Sequence, residues 1–204
     1  MIKYRIMRDD DIDAASQCIA HTFTKHEPIT SLLQIDAADF RIFAAATCRQ
    51  IIAQSLSVVA EYNSEIVGVR LAAKRGSYQS LHPHCKKMQF ISAFLRALHD
   101  TAPFKINNNL TCLHLIMMGV AEEYHNRGIA QQLLQFTLEN AKSRGFHSAI
   151  AEATSPVTQH IFLNKFGFAL INNLAYKNFR HENQTMLQSM PDETPTCALL
   201  EKYL

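Results

Sequence analysis

The sequence predicts a single mixed α/β domain. Short runs with strand character alternate with amphipathic stretches of helical spacing, and no linker, internal repeat or low-complexity tract interrupts them. A length of 204 residues suits about one domain with a substantial core. Hydrophobic residues make up 48% and charged residues 19%, the balance of an ordinary globular protein rather than a disordered one. A net charge of +2 carries no strong electrostatic signature, so neither nucleic acid nor a membrane is an expected partner. The five cysteines, Cys18, Cys48, Cys85, Cys112 and Cys197, are scattered and never form a Cys-x-x-Cys pair, as befits reduced thiols. The first residues contain no apolar region of signal-peptide length, and no run of about eighteen apolar residues occurs anywhere. A cytoplasmic protein is expected.

The elements follow in order. Residues 2–7 alternate apolar and basic, which suggests a strand with one buried face. Asp9 to Asp11 can cap a helix through Ile12, Ala15, Cys18, Ile19 and Phe23, and His26-Glu27-Pro28 ends it, because proline disfavours helical geometry at the preceding residue. A second helix spans residues 36–54, with Phe40, Phe43, Ala44, Thr47 and Ile51 on one side. A hairpin follows, with strands at 57–61 and 65–74 and a turn at Tyr62-Asn63-Ser64. Residues 83–99 have helical spacing through Met88, Ile91, Phe94, Leu95 and Leu98. Strand 113–120, helix 129–141, strand 148–154 and helix 157–166 come next, the last stopped by Gly167. Strands at 168–174 and 197–204 complete the sheet, separated by a polar, proline-containing segment.

The most informative stretch joins strand 113–120 to helix 129–141 through Ala121-Glu122-Glu123-Tyr124-His125-Asn126-Arg127-Gly128. The first turn of a helix leaves four amide donors without intrahelical partners, and the macrodipole adds partial positive charge there. Gly128 and Ala130 have little or no side chain, so a diphosphate can approach the main chain between them. A nucleotide P-loop is excluded because Gly128 is followed by Ile129 and Ala130 instead of lysine and a hydroxyl residue. A dinucleotide fingerprint is excluded because the loop has one glycine where three are needed. The cluster His82-Pro83-His84-Cys85 lacks a second ligand group at recognisable spacing, so a surface loop and no metal is expected.

The element order, together with His125-Asn126-Arg127-Gly128-Ile129-Ala130, Glu27-Pro28-Ile29 and the late Lys165-Phe166-Gly167-Phe168, resembles the GNAT superfamily of N-acetyltransferases over nearly the whole chain. That resemblance implies a GNAT fold: a central mixed, mostly antiparallel twisted sheet, splayed between two central strands and flanked by helices. The superfamily motif Gln/Arg-x-x-Gly-x-Gly/Ala maps onto residues 125–130, with His125 departing from it at the first position. The finer resemblance is to arylalkylamine N-acetyltransferases of the insect dopamine and serotonin type. Those carry an Asp/Glu-Glu-Pro-Leu signature where this chain has His26-Glu27-Pro28-Ile29, and an inserted helix before the central strand. Many other family members place a proton-donating tyrosine where this chain has Leu163. The arylalkylamine type has hydroxyl residues at the start of the last helix instead, a region occupied here by Thr154, Ser155 and Thr158.

The resemblance implies acetyl-CoA as cosubstrate and a primary amine, in the first place a small-molecule arylalkylamine, as acceptor, with a peptide, polyamine or antibiotic amine or a non-catalytic acyl-CoA-binding module as the alternatives; a monomer or homodimer without a metal is expected. The diphosphate would rest on the amides of His125, Asn126, Arg127, Gly128, Ile129 and Ala130, with Gln131 beside them in the first helical turn. Pantetheine would lie between the parted strands, against a bulge placed at Met118, Gly119 and Val120; an isolated glycine near a strand end marks a bulge or a close backbone approach. An alkyl ammonium has a pKa near ~10 and must lose a proton before it attacks. Glu27 is the candidate base, directly or through water, although a solvated carboxylate at a helix end is an equally simple role. Thr154, Ser155 or Thr158 would return a proton to the departing thiolate, and hydroxyls there also suit helix capping before Val157. Phe23, Phe40, Phe43, Tyr176 and Phe179 are candidates for an aromatic-amine pocket or for the core.

Overall fold

The computed structural model describes residues 1–78, 85–102 and 111–204. Seven strands form one sheet in the order β1-β2-β3-β4-β5-β7-β6: β1 Lys3–Ile6, β2 Val58–Tyr62, β3 Glu65–Lys74, β4 Cys112–Val120, β5 Ser148–Ala153, β6 Ala169–Ala175 and β7 Thr196–Tyr203. Only β4 and β5 pair in parallel, since helix α5 (Ile129–Ser143) crosses over between them; the other neighbours are antiparallel. Helices α1 (Ile12–His26), α3 (Ala37–Ile51) and α4 (Lys86–Asp100) share one apolar core on one face of the sheet. Helices α5 and α6 (Pro156–His160) lie over the other face, where Leu113, Leu115, Leu134, Leu138 and Phe162 pack together. Every expected strand and long helix is present, with ends moved by at most three residues apart from the split last helix, as fraying termini allow. The start of the helix expected at 83–99 and the His82-Pro83-His84 run lie outside the described residues.

Two local features differ from the sequence reading. Pro28 does not simply end α1. It opens a short helix, α2 (Pro28–Leu32), as its first residue, where its missing N–H costs nothing, and the Glu27 carboxylate caps that helix by accepting from the amides of Ile29 (3.2 Å) and Thr30 (2.7 Å). The expected last helix is also split: α6 relaxes into a π-turn over Ile161–Lys165 before Gly167 turns the chain at φ +66°.

The bulge on β4 sits at Ile116, two residues before the expected Met118 to Val120. Leu71 of β3 faces Met117 and Ala72 faces Leu115, so Ile116 is the extra residue. The ladder between β3 and β4 continues through Gly119, which faces Val69. What Gly119 provides is close approach, because a Cβ there would lie 2.9 Å from the Thr22 Oγ1 and 3.2 Å from the Cys18 carbonyl oxygen of α1. Pairing between β4 and β5 stops at Leu115 and Ala151, although both strands run on. Beyond that point the two strands part.

The tight seat of α1 on β4 gives a direct expectation. Gly119→Val pushes against helix backbone and is expected to lower the unfolding free energy by about 1–3 kcal/mol, read from urea titrations of both proteins. An unchanged midpoint would show that α1 shifts without cost.

Candidate active site

The gap between β4 and β5 opens into a cavity of about 390 Å³. Its outer end is built by the loop after β4. Asn126 and Gly128 both take left-handed backbone geometry, at φ +61° and +75°, which turns successive amides outward. Gly128, the N-cap residue of α5, has no side chain with which to cap it, and the amides of Gly128, Ile129, Ala130 and Gln131 lie too near the helix start to have intrahelical partners. His125, Asn126, Gly128, Ile129, Ala130 and Gln131 all line the cavity. His125, which departs from the family motif, has an anchoring contact: its Nε2 donates to the Val120 carbonyl at 2.9 Å. That bond ties the loop to the end of β4.

Two of the expected cofactor residues stand outside the lining. The Gly119 position faces α1, and Arg127 donates to the Glu123 carbonyl at 3.1 Å while its guanidinium lies 5.0 Å above the Tyr124 ring. Met118 and Val120 do line the cavity. A small-residue cradle, uncapped amides and a left-handed glycine are the features a diphosphate needs, and a CoA-type group fits the residues present.

A second cavity of about 500 Å³ lies on the α1, α3 and α4 side. Phe23, Phe40, Phe43 and Tyr78 give it aromatic surface, and Met88, Ile91 and Leu95 of α4 supply an apolar wall. Tyr176 and Phe179 of the expected aromatic set serve the core instead. Tyr176 is fully buried, stacks on Phe94, and donates its hydroxyl to the Thr154 carbonyl at 2.7 Å. The two cavities share six lining residues: Phe23, Glu27, Ile116, Met117, Glu152 and Thr154. Both the bulge and the parting of the strands therefore fall at this junction.

Four residues that suit proton handling come together here. Glu27 is held by its two amide bonds at the junction, so capping and access to both cavities coexist in one side chain. Thr154, Ser155 and Thr158 all line the first cavity. Ser155 caps α6: its Oγ accepts from the Thr158 amide at 3.1 Å and donates to Thr158 Oγ1 at 2.8 Å. Because Ser155 spends its proton on Thr158, the Thr158 hydroxyl keeps its own proton to donate elsewhere.

Sequence reasoning missed a buried cluster in the second cavity. Glu152 of β5 accepts from His99 Nε2 and, at 2.9 Å, from His114 Nε2, and the Tyr78 hydroxyl lies 2.7 Å from His114 Nδ1. Burial alone would raise the Glu152 pKa, but the His114 and His99 contacts outweigh it and hold the carboxyl well below the usual range. Arg70 of β3 was missed as well. It is 4% exposed, lines the first cavity, and its Nε and Nη2 have no hydrogen-bond partner among the described residues. The available signal was the same in each case: one ionisable residue inside an apolar strand, as in Gly68-Val69-Arg70-Leu71-Ala72 and Ala149-Ile150-Ala151-Glu152-Ala153. Burial pushes the thiols of Cys18 and Cys48 up to about 11 and about 12, so neither is activated as a nucleophile.

Comparison with known proteins places this geometry. Residues 26–168 match the model of the acetyltransferase (GNAT) family. Among solved structures, the C-terminal condensation domain of Ebony, in complex with beta-alanyl-dopamine, superposes with a TM-score of 0.85 at 18% identity, over 100% of this chain and 99% of that one. Arylalkylamine N-acetyltransferase 2 from Aedes aegypti gives 0.83 at 16% identity, over 99% and 98%. A Drosophila melanogaster polyamine N-acetyltransferase, which catalyses formation of N-acetylagmatine, gives 0.77 at 17%, over 100% of both chains. At such identities the superpositions establish a shared fold. The family match over most of the chain, on a sheet that opens beside an uncapped helix, makes this protein a member of the acetyltransferase (GNAT) family and an acyltransferase.

Proposed function

We propose that this protein transfers the acetyl group of acetyl-CoA to the primary amine of a small arylalkylamine by direct attack. The observation that carries the reading is the meeting of two cavities at Glu27, Met117 and Thr154, one ending in free helix amides and the other walled by aromatic rings. Acetyl-CoA supplies an activated acyl thioester. The amides around Gly128 hold its diphosphate, and the edge of β4 freed beyond Leu115 offers main-chain groups to its arm. Glu27 takes a proton from the incoming ammonium, directly or through water, and keeps its place because the Ile29 and Thr30 amides fix it. Thr158, fed by the Ser155 hydroxyl, protonates the departing sulfur, and the Thr154 main chain is held in position by Tyr176. We assign no covalent acyl-enzyme step. We place the protein in the cytosol, in keeping with its free cysteines.

The acceptor cavity favours one amine class over another. A diamine or agmatine brings a second positive charge toward Arg96 in the cavity wall, whereas an aromatic monoamine presents a ring to Phe23, Phe40 and Phe43. A volume of about 500 Å³ also holds a single small amine.

Three outcomes are expected. Glu27→Gln lowers kcat about 100-fold while CoA affinity by calorimetry stays within about twofold of wild type; equal turnover would remove Glu27 from proton transfer. In a CoA-release assay across amines, kcat/KM for aryl-ethylamines exceeds that for agmatine and putrescine by about tenfold or more; the reverse order would favour a polyamine acceptor, and CoA binding without turnover on any amine would favour a non-catalytic module. For Glu152, the carboxyl has a lower pKa folded than its ordinary value of 4.5, so its stabilisation is complete above about pH 4.5 and is lost as pH falls toward the folded value. Wild type is therefore expected to lose stability on acidification below about pH 4.5 more steeply than Glu152→Gln, as measured by denaturant titration at each pH.

A further inference from the structure

Among the described residues, Arg70 is the one buried side chain with unpartnered polar atoms: its Nε and Nη2 are buried and have no hydrogen-bond partner. It lies on β3 opposite Met118, which lines the same cavity, and its guanidinium carbon is 5.5 Å from the centre of the Phe162 ring. Leu115 and Ala151, the last paired residues of β4 and β5, line the same cavity. Burial pulls its pKa down to about 9, against the opposing pull of Glu152. A buried guanidinium without acceptors is costly, and an apolar residue of similar length would pack there at no such cost. Its retention in a ligand-sized cavity has a simple physical account, in which the missing acceptor arrives with the ligand.

Resting on the function proposed above, we propose that Arg70 is a donor-binding residue whose guanidinium donates to a carbonyl oxygen of the acyl-thioester's arm. The position argues for the arm. Arg70 lines the cavity that ends in the α5 amides and does not line the acceptor cavity, so an oxygen reaching it belongs to the donor, between diphosphate and thioester. The pantetheine arm carries two amide carbonyls in that interval. A carboxylate on the acyl group is the other oxygen of the same kind, and it is separable by experiment.

The test compares wild type, Arg70→Met and Arg70→Lys by calorimetry with CoA, acetyl-CoA and succinyl-CoA, and by thermal melting with and without CoA. The expected result is a loss of about 10- to 100-fold in affinity for all three ligands in the Met variant. The unliganded Met variant is expected to melt at or above the wild-type temperature, since it no longer buries an unpaired cation. The Lys variant, which keeps a charge and a donor, recovers part of the affinity. A loss confined to succinyl-CoA overturns the arm contact, because the arm carbonyls are common to all three ligands and the oxygen would then belong to the acyl group. Unchanged affinity for every ligand overturns the proposal, as does an equal loss in both variants accompanied by lower unliganded melting temperatures. Failure of wild type to bind CoA overturns the proposed function and this inference together, whereas binding by wild type with unaltered variants overturns this inference alone.

Discussion

The structure depends on where one parallel strand pair stops. From Cys112 to Leu115, β4 and β5 share a ladder; beyond it each keeps its outer antiparallel neighbour and loses its inner one. A main-chain edge inside a protein needs partners, because unpaired N–H and C=O groups away from water are costly. Here the edge faces a cavity instead of being covered by side chains. The bulge at Ile116 lets β4 bend away while its ladder with β3 survives, and the helices above and below hold the opening apart.

Several contacts maintain that opening from both sides. On the β4 side, the Val120 carbonyl receives His125 Nε2 and the Thr22 hydroxyl, which fixes the strand end against both the loop and α1. On the β5 side, Gln159 donates to the carbonyls of Ala153 and Thr196, and Tyr176 donates to that of Thr154. These bonds fix the strand ends on both sides of the opening.

The charges gathered at the opening are paired in different ways. Glu152 is satisfied by two histidines, Glu27 by two amides, and Arg70 by neither. Away from the site, Arg5 bridges Asp11 and Glu61 and joins β1 to β2 and to the turn before α1. That network serves the scaffold. The contrast shows why partner geometry, more than burial alone, separates a structural ion from one that awaits a ligand.

Local physics made much of this legible in the sequence. Alternation marked β1, helical spacing marked the buried stripe of α5 from Ile129 to Ala141, and the glycine opening that helix marked the amide cradle. These depend on near neighbours in the chain, where the periods of 2 and 3.6 residues act directly. The bulge was misplaced because Gly119 is required by contact with Thr22, a residue 97 positions earlier whose approach no local pattern records. The Glu152, His99, His114 and Tyr78 cluster was invisible for the same reason: its members lie on three elements and the turn after β3, and only packing of α4 over the sheet joins them. Sequence alone determined the elements and the left-handed turn that opens α5, since short-range sterics and unpaired helix amides are properties of consecutive residues. Tertiary structure alone decided which ionisable side chains meet at the parted strands, because that depends on how distant segments fill the space between sheet and helices.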